Sequence, residues 1–344
     1  MTATRRSLPT SDPDGELVAA ALAGNEQAFA HLVERYRAQL QLHCYRMLGS
    51  LQDAEDLVQE TFLRAWRRLP SFRGRSTFRT WLYRIATNAC LDFLDRRQRR
   101  PRQAPQPGRP AAGAAEVPWL EPYPDRLLEQ AAAEAAEPEA MAISRETIEL
   151  AFLVAIQHLP ARQRAVLILR DVLGWPADEA ATTLEVSVAA VKSALQRARA
   201  TLREHLPRRR EEWATGAPPT DQERAVLERY VAAHERRDPT ALAALLAEDA
   251  RLTMPPQPTW YAGRDAIVAA VAAAAFAPAF GQLRLLPTWA NRQPAAAFYV
   301  RRPGDAELRP FAVDVLRVEA GQVAEVTAFG ERLVPAFGLP ASLR

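Results

Sequence analysis

Cysteine is nearly absent: Cys44 and Cys90 are the only two among 344 residues. Neither lies in a CxxC or Cys/His pattern, which excludes a disulfide framework and a cysteine-based metal site. Both fall at apolar helical positions and read as reduced core thiols. Lysine is scarcer still, with Lys192 alone. Given the heavy alanine and proline usage, this reads as a coding bias, so arginine in place of lysine carries no message. Long apolar runs are also missing. None approaches the roughly 20 residues that cross a bilayer. The opening MTATRRSLPTSDPDG has charge but no apolar segment, so it is not expected to be a signal peptide. These absences lead to the expectation of a cytoplasmic protein with no membrane partner, no metal and no cofactor.

What is present is unevenly spread. Net charge is only +3. From Arg64 to Arg109 there are 13 arginines against two acids, Asp92 and Asp95. From Glu116 to Glu149 nine acids face two arginines, and from Asp221 to Arg344 there are 14 of each. A basic, an acidic and a neutral block place nucleic-acid contact in the first part of the chain.

Glu16 to Ala23 predicts a short helix ended by Gly24-Asn25. Phe29, Leu32, Val33, Tyr36, Leu40 and Leu48 mark one face of a long helix closed by Gly49-Ser50. Asp53 is the expected N-cap of the next helix, with Glu55 and Asp56 in its first turn, where the helix dipole favours acids. Leu57, Val58, Phe62, Ala65, Trp66 and Leu69 form its apolar stripe, and Gln59, Glu60, Arg64, Arg67 and Arg68 its polar face. A basic, aromatic loop from Pro70 to Arg75 follows, and Ser76 is expected to cap a helix buried through Phe78, Trp81, Leu82, Ile85, Ala86, Ala89 and Phe93. Arg79, Arg84, Asn88, Asp92, Arg96, Arg97, Arg99 and Arg100 are left facing outward.

Pro101 to Ala115 reads as a flexible linker. The acidic PWLEPYPDRLL from Pro118 to Leu128 has exposed aromatics held extended by prolines. It fits either a docking strip or a local turn packed on its neighbours. Helical periodicity resumes near Ser144 and stops at Pro160. Arg162 to Val172, Ala177 to Leu184 and Val188 to Leu206 are three further helices, with Gly174-Trp175-Pro176 and a Val186-Ser187 turn between them. A short helix, a tight turn and a helix with a polar basic face form a helix-turn-helix pattern. Ser187 is its N-cap, and Lys192, Ser193, Gln196, Arg197, Arg199 and Arg203 are side chains of the kind that reach base edges and phosphates. Pro207 to Thr220 is a second linker. Beyond it come amphipathic helices from Asp221 to Ala247, broken at Asp238-Pro239, and an alanine-rich helix from Arg264 to Phe276. Alternating runs follow at 250–254, 283–289, 295–300, 310–318 and 322–329, with a hairpin at Ala320-Gly321. Helices followed by a strongly bent antiparallel sheet predict a compact α+β domain.

DAEDLVQETFLRAWRRL and FRGRSTFRTWLYRIATNACLDFLDRRQRR resemble region 2 of bacterial sigma factors of the extracytoplasmic-function (group 4) type. LPARQRAVLILRDVLGWPADEAATTLEVSVAAVKSALQRARATLREHL resembles their region 4. VAAHERRDPTALAALLAEDARLTMPPQPTWYAGRDAIVAAV looks like the SnoaL-like branch of the NTF2-like superfamily. The resemblance implies a multidomain chain: two all-α sigma domains, a region 2 helical bundle and a region 4 helix-turn-helix, followed by an α+β NTF2-like cone. The implied plan is a disordered tail over 1–14, region 2 over 15–100, a partly acidic linker over 101–143, region 4 over 144–207, a linker over 208–220, the SnoaL-like domain over 221–334 and a tail over 335–344.

Roles follow from the same resemblance. The implied function is a non-enzymatic initiation factor that binds core RNA polymerase through its β′ and β subunits, recognises promoter DNA at −35 and −10, and melts it. Asp56, Leu57, Gln59, Glu60, Phe62 and Arg67 would serve polymerase binding, Leu57, Val58 and Phe62 by building the helix core. The −10 element would meet Phe72, Arg73, Arg75, Thr77, Phe78, Arg79, Asn88 and Asp92, with Arg96, Arg97 and Arg99 on duplex phosphates. A flipped base needs a pocket that stacks and hydrogen-bonds it, with cations for its phosphates. Ser187, Lys192, Ser193, Gln196, Arg197, Arg199 and Arg203 would meet the −35 element. The acidic strip would lie in the polymerase's RNA channel. Tyr230, His234, Met254, Trp260, Tyr261, Trp289, Phe298 and Asp314 are the pocket candidates of the last domain. That domain could contact the sigma regions, sense an unidentified small molecule, or catalyse. One His and one Asp among aromatics leave open a SnoaL-type enzyme tethered to a DNA-targeting module, whose mark would be ionisable groups converging in the cone. A repressor that never touches polymerase has no use for the DAEDLVQETFLRAWRRL match.

Overall fold

The computed structural model describes residues 14–99, 120–133, 147–205, 220–255 and 260–344. The expected tail up to residue 13, the linker stretches 101–119 and 134–143, and 208–219 lie outside the described residues. So do the side chains of Arg99 and Trp260. The chain divides into two units. One is drawn from Met1–Ala104, Leu127–Ile143 and Ala151–Glu211, the other from Pro105–Arg126, Ser144–Leu150 and Glu212–Arg344.

The first unit begins with α1 (Gly15–Leu22), α2 (Glu26–Leu48), α3 (Leu51–Arg68) and α4 (Phe78–Arg99). Asp14, placed in the expected tail, is instead buried and bonded to Arg35 and Tyr36 of α2. Gly49 takes φ 74, the left-handed conformation that ends α2 without a Cβ clash. Ser50 then accepts from the Asp53 amide at 3.1 Å. The cap of α3 is therefore Ser50 rather than Asp53, which sits inside the first turn. The cap of α4 also shifts from its expected place: the Thr77 hydroxyl, not Ser76, accepts the Thr80 amide at 3.2 Å. Both shifts are local competitions between adjacent capping residues. Leu32, Leu40, Leu82 and Ala86 are fully buried where α2 and α4 meet, and Phe62 and Ala65 bring α3 onto the same core.

After α5 (Asp125–Ala133) come α6 (Leu150–Gln157), α7 (Ala161–Leu167), a π-helical turn over Ile168–Val172, α8 (Ala177–Leu184) and α9 (Val188–His205). The expected 162–172 helix thus changes pitch midway. Arg164, only 4% exposed, ties these helices to α2 within the first unit. Its guanidinium donates to Met47 O and Gln157 Oε1 at 2.5 Å, to Gln157 O at 2.8 Å and to Leu159 O at 3.2 Å. Burial lowers its pKa to about 10, which still leaves it charged. Just before α8, Trp175 packs at a tilt against Tyr83 of α4, with centroids 5.3 Å apart.

The second unit carries α10 (Asp221–Glu235), α11 (Pro239–Leu245), α12 (Arg264–Ala273) and six strands: β1 (Leu246–Thr253), β2 (Trp260–Ala262), β3 (Gln282–Ala290), β4 (Gln293–Arg301), β5 (Arg309–Glu319) and β6 (Gln322–Gly330). Their order in the sheet is β2-β1-β6-β5-β4-β3. The sheet is mixed rather than antiparallel throughout, because β1 runs parallel to β6. Thr220 and Glu223 form a reciprocal capping box on α10, and Asp238 caps α11. Irregular registers at Leu246/Arg251, Phe298/Tyr299 and Arg317/Val318 mark bulges, which bend strands and increase twist. The sheet curls accordingly, and α10 and α12 pack in its hollow through Leu227, Tyr230, Ile267 and Phe298. The expected tail is tied down as well. Leu343 exchanges two backbone hydrogen bonds with Leu308, and Pro340 O accepts from the Tyr299 hydroxyl at 2.7 Å.

In this unit Leu120 to Arg126 lie against the β3–β4 turn. Asn291 Oδ1 accepts the Tyr123 amide at 2.7 Å, its own amide donates to Tyr123 O at 2.8 Å, and Nδ2 donates to Ile148 O at 2.8 Å. Asp125 accepts from the Arg292 amide at 2.8 Å, and Arg126 donates to Ala336 O at 2.8 Å. Tyr123 is fully buried. Tyr123, expected to be exposed, is thus packed on its neighbours, as the second of the two readings has it, while Trp119 lies outside the described residues.

Candidate functional site

On α3, Asp56, Gln59 and Arg67 face solvent, and Glu60 is half-buried and paired with Arg64 at 2.7 Å. Leu57 and Phe62 are 6% and 8% exposed and face inward. They hold the helix rather than offer a contact, because α2 and α4 consume that side of it. The apolar stripe predicted a buried Trp66, yet it is 39% exposed, its ring tilted against Phe29 with centroids 4.9 Å apart. Leu63, one turn away, is 53% exposed and was not anticipated. The two give α3 an apolar patch beside its charged face. The signal was available, since Leu63 falls three residues before Trp66, the spacing of helix-face neighbours.

The loop before α4 is built on aromatic packing. Phe72 and Phe78, 3% and 1% exposed, meet edge-to-face at 6.0 Å, and Trp81 lies 5.2 Å from Phe72. Both phenyl rings are therefore spent on holding the loop and are not presented for stacking on a base. Arg73 and Arg75 are exposed, Arg73 donating to Pro70 O at 2.7 Å. Thr77 and Asn88 are half-buried. Arg79 lies over Tyr83 at 5.5 Å and Trp175 at 5.9 Å, a cation–π arrangement that turns it toward α8. Alongside it, Thr80 bonds Glu179 at 2.5 Å and Arg84 pairs with Glu185. Asp92 pairs with Arg64 at 3.3 Å, Arg96 is exposed, and Arg97 is 3.7 Å from Asp53. Arg99's side chain is outside the described set.

On α9 the expected residues share one exposed surface. Ser187 caps the helix at the Ala190 amide, 3.1 Å away, and Lys192, Ser193, Gln196 and Arg203 are exposed. Arg197 bonds Ser193 at 2.6 Å. Arg199 departs from expectation: its guanidinium grips Asp171 with two hydrogen bonds of 2.7 and 2.8 Å. An arginine so engaged contacts DNA only after exchanging that carboxylate for a phosphate or base.

The curled sheet of the second unit encloses a cavity of about 370 Å³. Tyr230, His234, Met254, Tyr261, Phe298 and Asp314 line it, as six of the eight pocket candidates were expected to. Trp289 is not among the lining residues; it packs against the domain core. Leu242, Ile267, Phe280, Phe311 and Glu331 are among the other lining residues and were missed. Tyr230 donates to Asp314 Oδ2 at 2.8 Å. Burial pushes the Asp314 pKa up to about 7, against the opposing pull of that hydrogen bond. Burial first, then Asp314, raises the Tyr230 pKa. Burial lowers His234 to about 4, so its ring is neutral, with Nδ1 donating to Tyr230 O at 3.0 Å. No group of three metal-ligating side chains occurs among the described residues, and no described helix is long and apolar enough to cross a membrane.

The chain matches the Sigma-70 region 2 family over residues 32–100, the Sigma-70, region 4 family over 149–202 and the SnoaL-like domain family over 227–326. It is 46% identical over 323 residues to the ECF RNA polymerase sigma factor SigG of Mycobacterium tuberculosis (strain ATCC 25618 / H37Rv), a match covering 92% of this chain and 85% of SigG. The ECF RNA polymerase sigma factor SigW of Bacillus subtilis (strain 168) is 33% identical over 183 residues, 53% of this chain and 91% of SigW. In fold, the chain is similar to the crystal structure of the Mycobacterium tuberculosis extracytoplasmic function sigma factor SigJ. That match has a TM-score of 0.58 at 21% identity and covers 91% of this chain and 99% of SigJ. A region 2 bundle, a region 4 helix-turn-helix and a SnoaL-like cone in one chain, with this identity along nearly its whole length, make it a member of the ECF RNA polymerase sigma factors.

Proposed function

We propose that this sigma factor docks on core RNA polymerase through the exposed face of α3, using Asp56, Gln59, Glu60 and Arg67 around the apolar patch of Leu63 and Trp66. Arg73, Arg75, Asn88 and the arginines at the end of α4 then engage the −10 element. Lys192, Gln196, Arg197 and Arg203 on α9 engage the −35 element, acting in the cytoplasm where the polymerase is. The single observation that carries this reading is the pairing of an exposed apolar patch on α3 with a basic, capped recognition helix in one chain. The two promoter elements are about 25 base pairs apart, roughly 85 Å at about 3.4 Å per pair. Regions 2 and 4 in contact, with Arg79, Thr80 and Arg84 against α8, do not span that distance. The described arrangement is accordingly a holding form that opens when promoter DNA is bound.

The C-terminal domain regulates this opening. Its grip on Leu120 to Arg126, in the linker between the two sigma regions, supports that role. The convergence of Tyr230, His234 and Asp314 in the cavity favours a second property, small-molecule binding, with SnoaL-type catalysis as the alternative use of the same groups. Transcription in vitro by full-length protein and by a chain ending at Thr220 tests the regulatory role. Different promoter activity is expected, and equal activity with and without cell metabolites would remove it. Chemical conversion of an added metabolite would mark an enzyme; altered transcription without conversion, a sensor.

A further inference from the structure

The cavity's polar groups are unusual for what they have left to offer. Tyr230's only hydroxyl hydrogen is spent on Asp314 Oδ2. The hydrogen on His234 Nδ1 is spent on Tyr230 O, which leaves Nε2 of a neutral ring as a bare acceptor in a residue 2% exposed. The second carboxyl oxygen of Asp314, 7% exposed, is the other acceptor. Tyr261, with a rotatable hydroxyl, does not discriminate. No arginine or lysine is among the described lining residues. A carboxylate or phosphate ligand would therefore be stripped of water beside Asp314 and Glu331 with no counter-charge, at a prohibitive cost. A neutral carbonyl could accept only from the Tyr261 hydroxyl, or from Asp314 while its carboxyl group holds a proton, and above about pH 7 Asp314 offers it nothing.

A donor-rich cation fits each of these facts. It supplies hydrogens to two acceptors and a counter-charge to a carboxyl group that the interior otherwise drives toward neutrality. Phe280, Phe298, Phe311 and Phe329 line the cavity among aliphatic side chains, so aromatic surface is at hand for a cation. The volume of about 370 Å³ sits at the small end of ligand pockets, roughly 300–1,000 Å³. We propose that the cavity binds a small lipophilic amine, its ammonium group held by Asp314 and His234 Nε2 and its apolar body packed against the aromatic wall. The inference rests on the small-molecule reading of this domain and names the ligand class. The titratable side chains facing the site are Tyr230 and His234 from α10, Tyr261 from β2, Asp314 from β5 and Glu331 after β6. Because an ammonium ion selects the ionised carboxylate, binding releases a proton and strengthens as pH rises through about 7.

Titration calorimetry on the full chain with 3-phenylpropylamine, 3-phenylpropan-1-ol and 4-phenylbutanoate tests this. The amine is expected to bind at least about tenfold tighter than the alcohol at pH 8, and the butanoate not measurably. Amine affinity should fall about tenfold from pH 8 to pH 6 as the carboxyl group is protonated. Asp314→Asn should erase the preference for the amine and keep alcohol binding, which also shows that the variant is folded. Should that variant bind neither, the pH dependence of the unmodified chain decides. Alcohol or butanoate binding as tightly as the amine overturns the assignment while leaving the small-molecule reading in place. Absence of binding by all three also overturns it. In that event, unchanged promoter activity in a cavity-filling Ala312→Phe variant would remove the small-molecule reading too.

Discussion

Asp314→Asn should change how the C-terminal domain's stability depends on pH. In the folded protein the Asp314 pKa is raised from 3.8 to about 7. A raised pKa contributes stability that is complete below the unfolded value and is lost as pH climbs through the folded one. Three units at about 1.36 kcal/mol each make this loss about 4 kcal/mol between pH 3.8 and 7. His234 acts in the opposite direction. Its pKa is lowered from 6.5 to about 4, so stability is complete above 6.5 and is lost as pH falls through 4, by about 3 kcal/mol. Between pH 4 and 6.5 the two slopes nearly cancel in the unmodified chain. The asparagine variant retains only the histidine slope and should gain about 3 kcal/mol as pH rises across that interval. Urea denaturation with pulsed hydrogen exchange, read on peptides of β4 and β5, isolates this domain within the full chain. Parallel profiles for the two proteins from pH 4 to 6.5 would refute a buried, proton-holding Asp314.

Arg164→Met should destabilise the first unit, because Met47 O, Gln157 O and Leu159 O each lose a buried donor. A cost of about 3–5 kcal/mol and a Tm lower by roughly 10 °C are expected in calorimetry. A change under about 1 kcal/mol would mean that apolar packing replaces the network. Arg197→Ala should weaken −35 DNA binding by about 1–3 kcal/mol in fluorescence anisotropy. Asp171→Ala should strengthen it by releasing Arg199, and unaltered affinity would show that Arg199 makes no DNA contact. Asn291→Ala removes the side-chain bonds to Tyr123 and Ile148 and strains a residue at φ 56, whereas Asn291→Gly removes the bonds without the strain. Both should raise hydrogen exchange over residues 120–126. An effect of alanine alone would assign the grip to backbone geometry.

The elements of this chain were legible where one local signal stood alone. The Asp238-Pro239 break, the Ala320-Gly321 hairpin and the Ser187 cap each have a residue type that fits that conformation and little else. Signals that compete at short range were misplaced: Ser50 and Asp53 are both capping residues, as are Ser76 and Thr77, and geometry rather than identity chooses between them. The β3–β4 turn was missed because Asn291 and Arg292, at φ 56 and 59, take left-handed conformations without a glycine to announce them. Long-range pairings were out of reach. Nothing near Arg199 marks Asp171, 28 residues earlier, as its partner. The pocket was legible by residue type for six of eight candidates. Its chemistry was not, since the Asp314 environment comes from α10 and β5, 84 residues apart at the Tyr230 hydrogen bond.

A chain that directs a polymerase must first bind it. Purified full-length protein should be mixed with core RNA polymerase and assayed for holoenzyme by native gel and for run-off transcription from a promoter library. Stable holoenzyme, with start sites sharing one pair of −35 and −10 sequences, is the expected result, and a charge-reversing Arg67→Glu in α3 should abolish both. Failure to bind core polymerase under any salt condition would contradict the account.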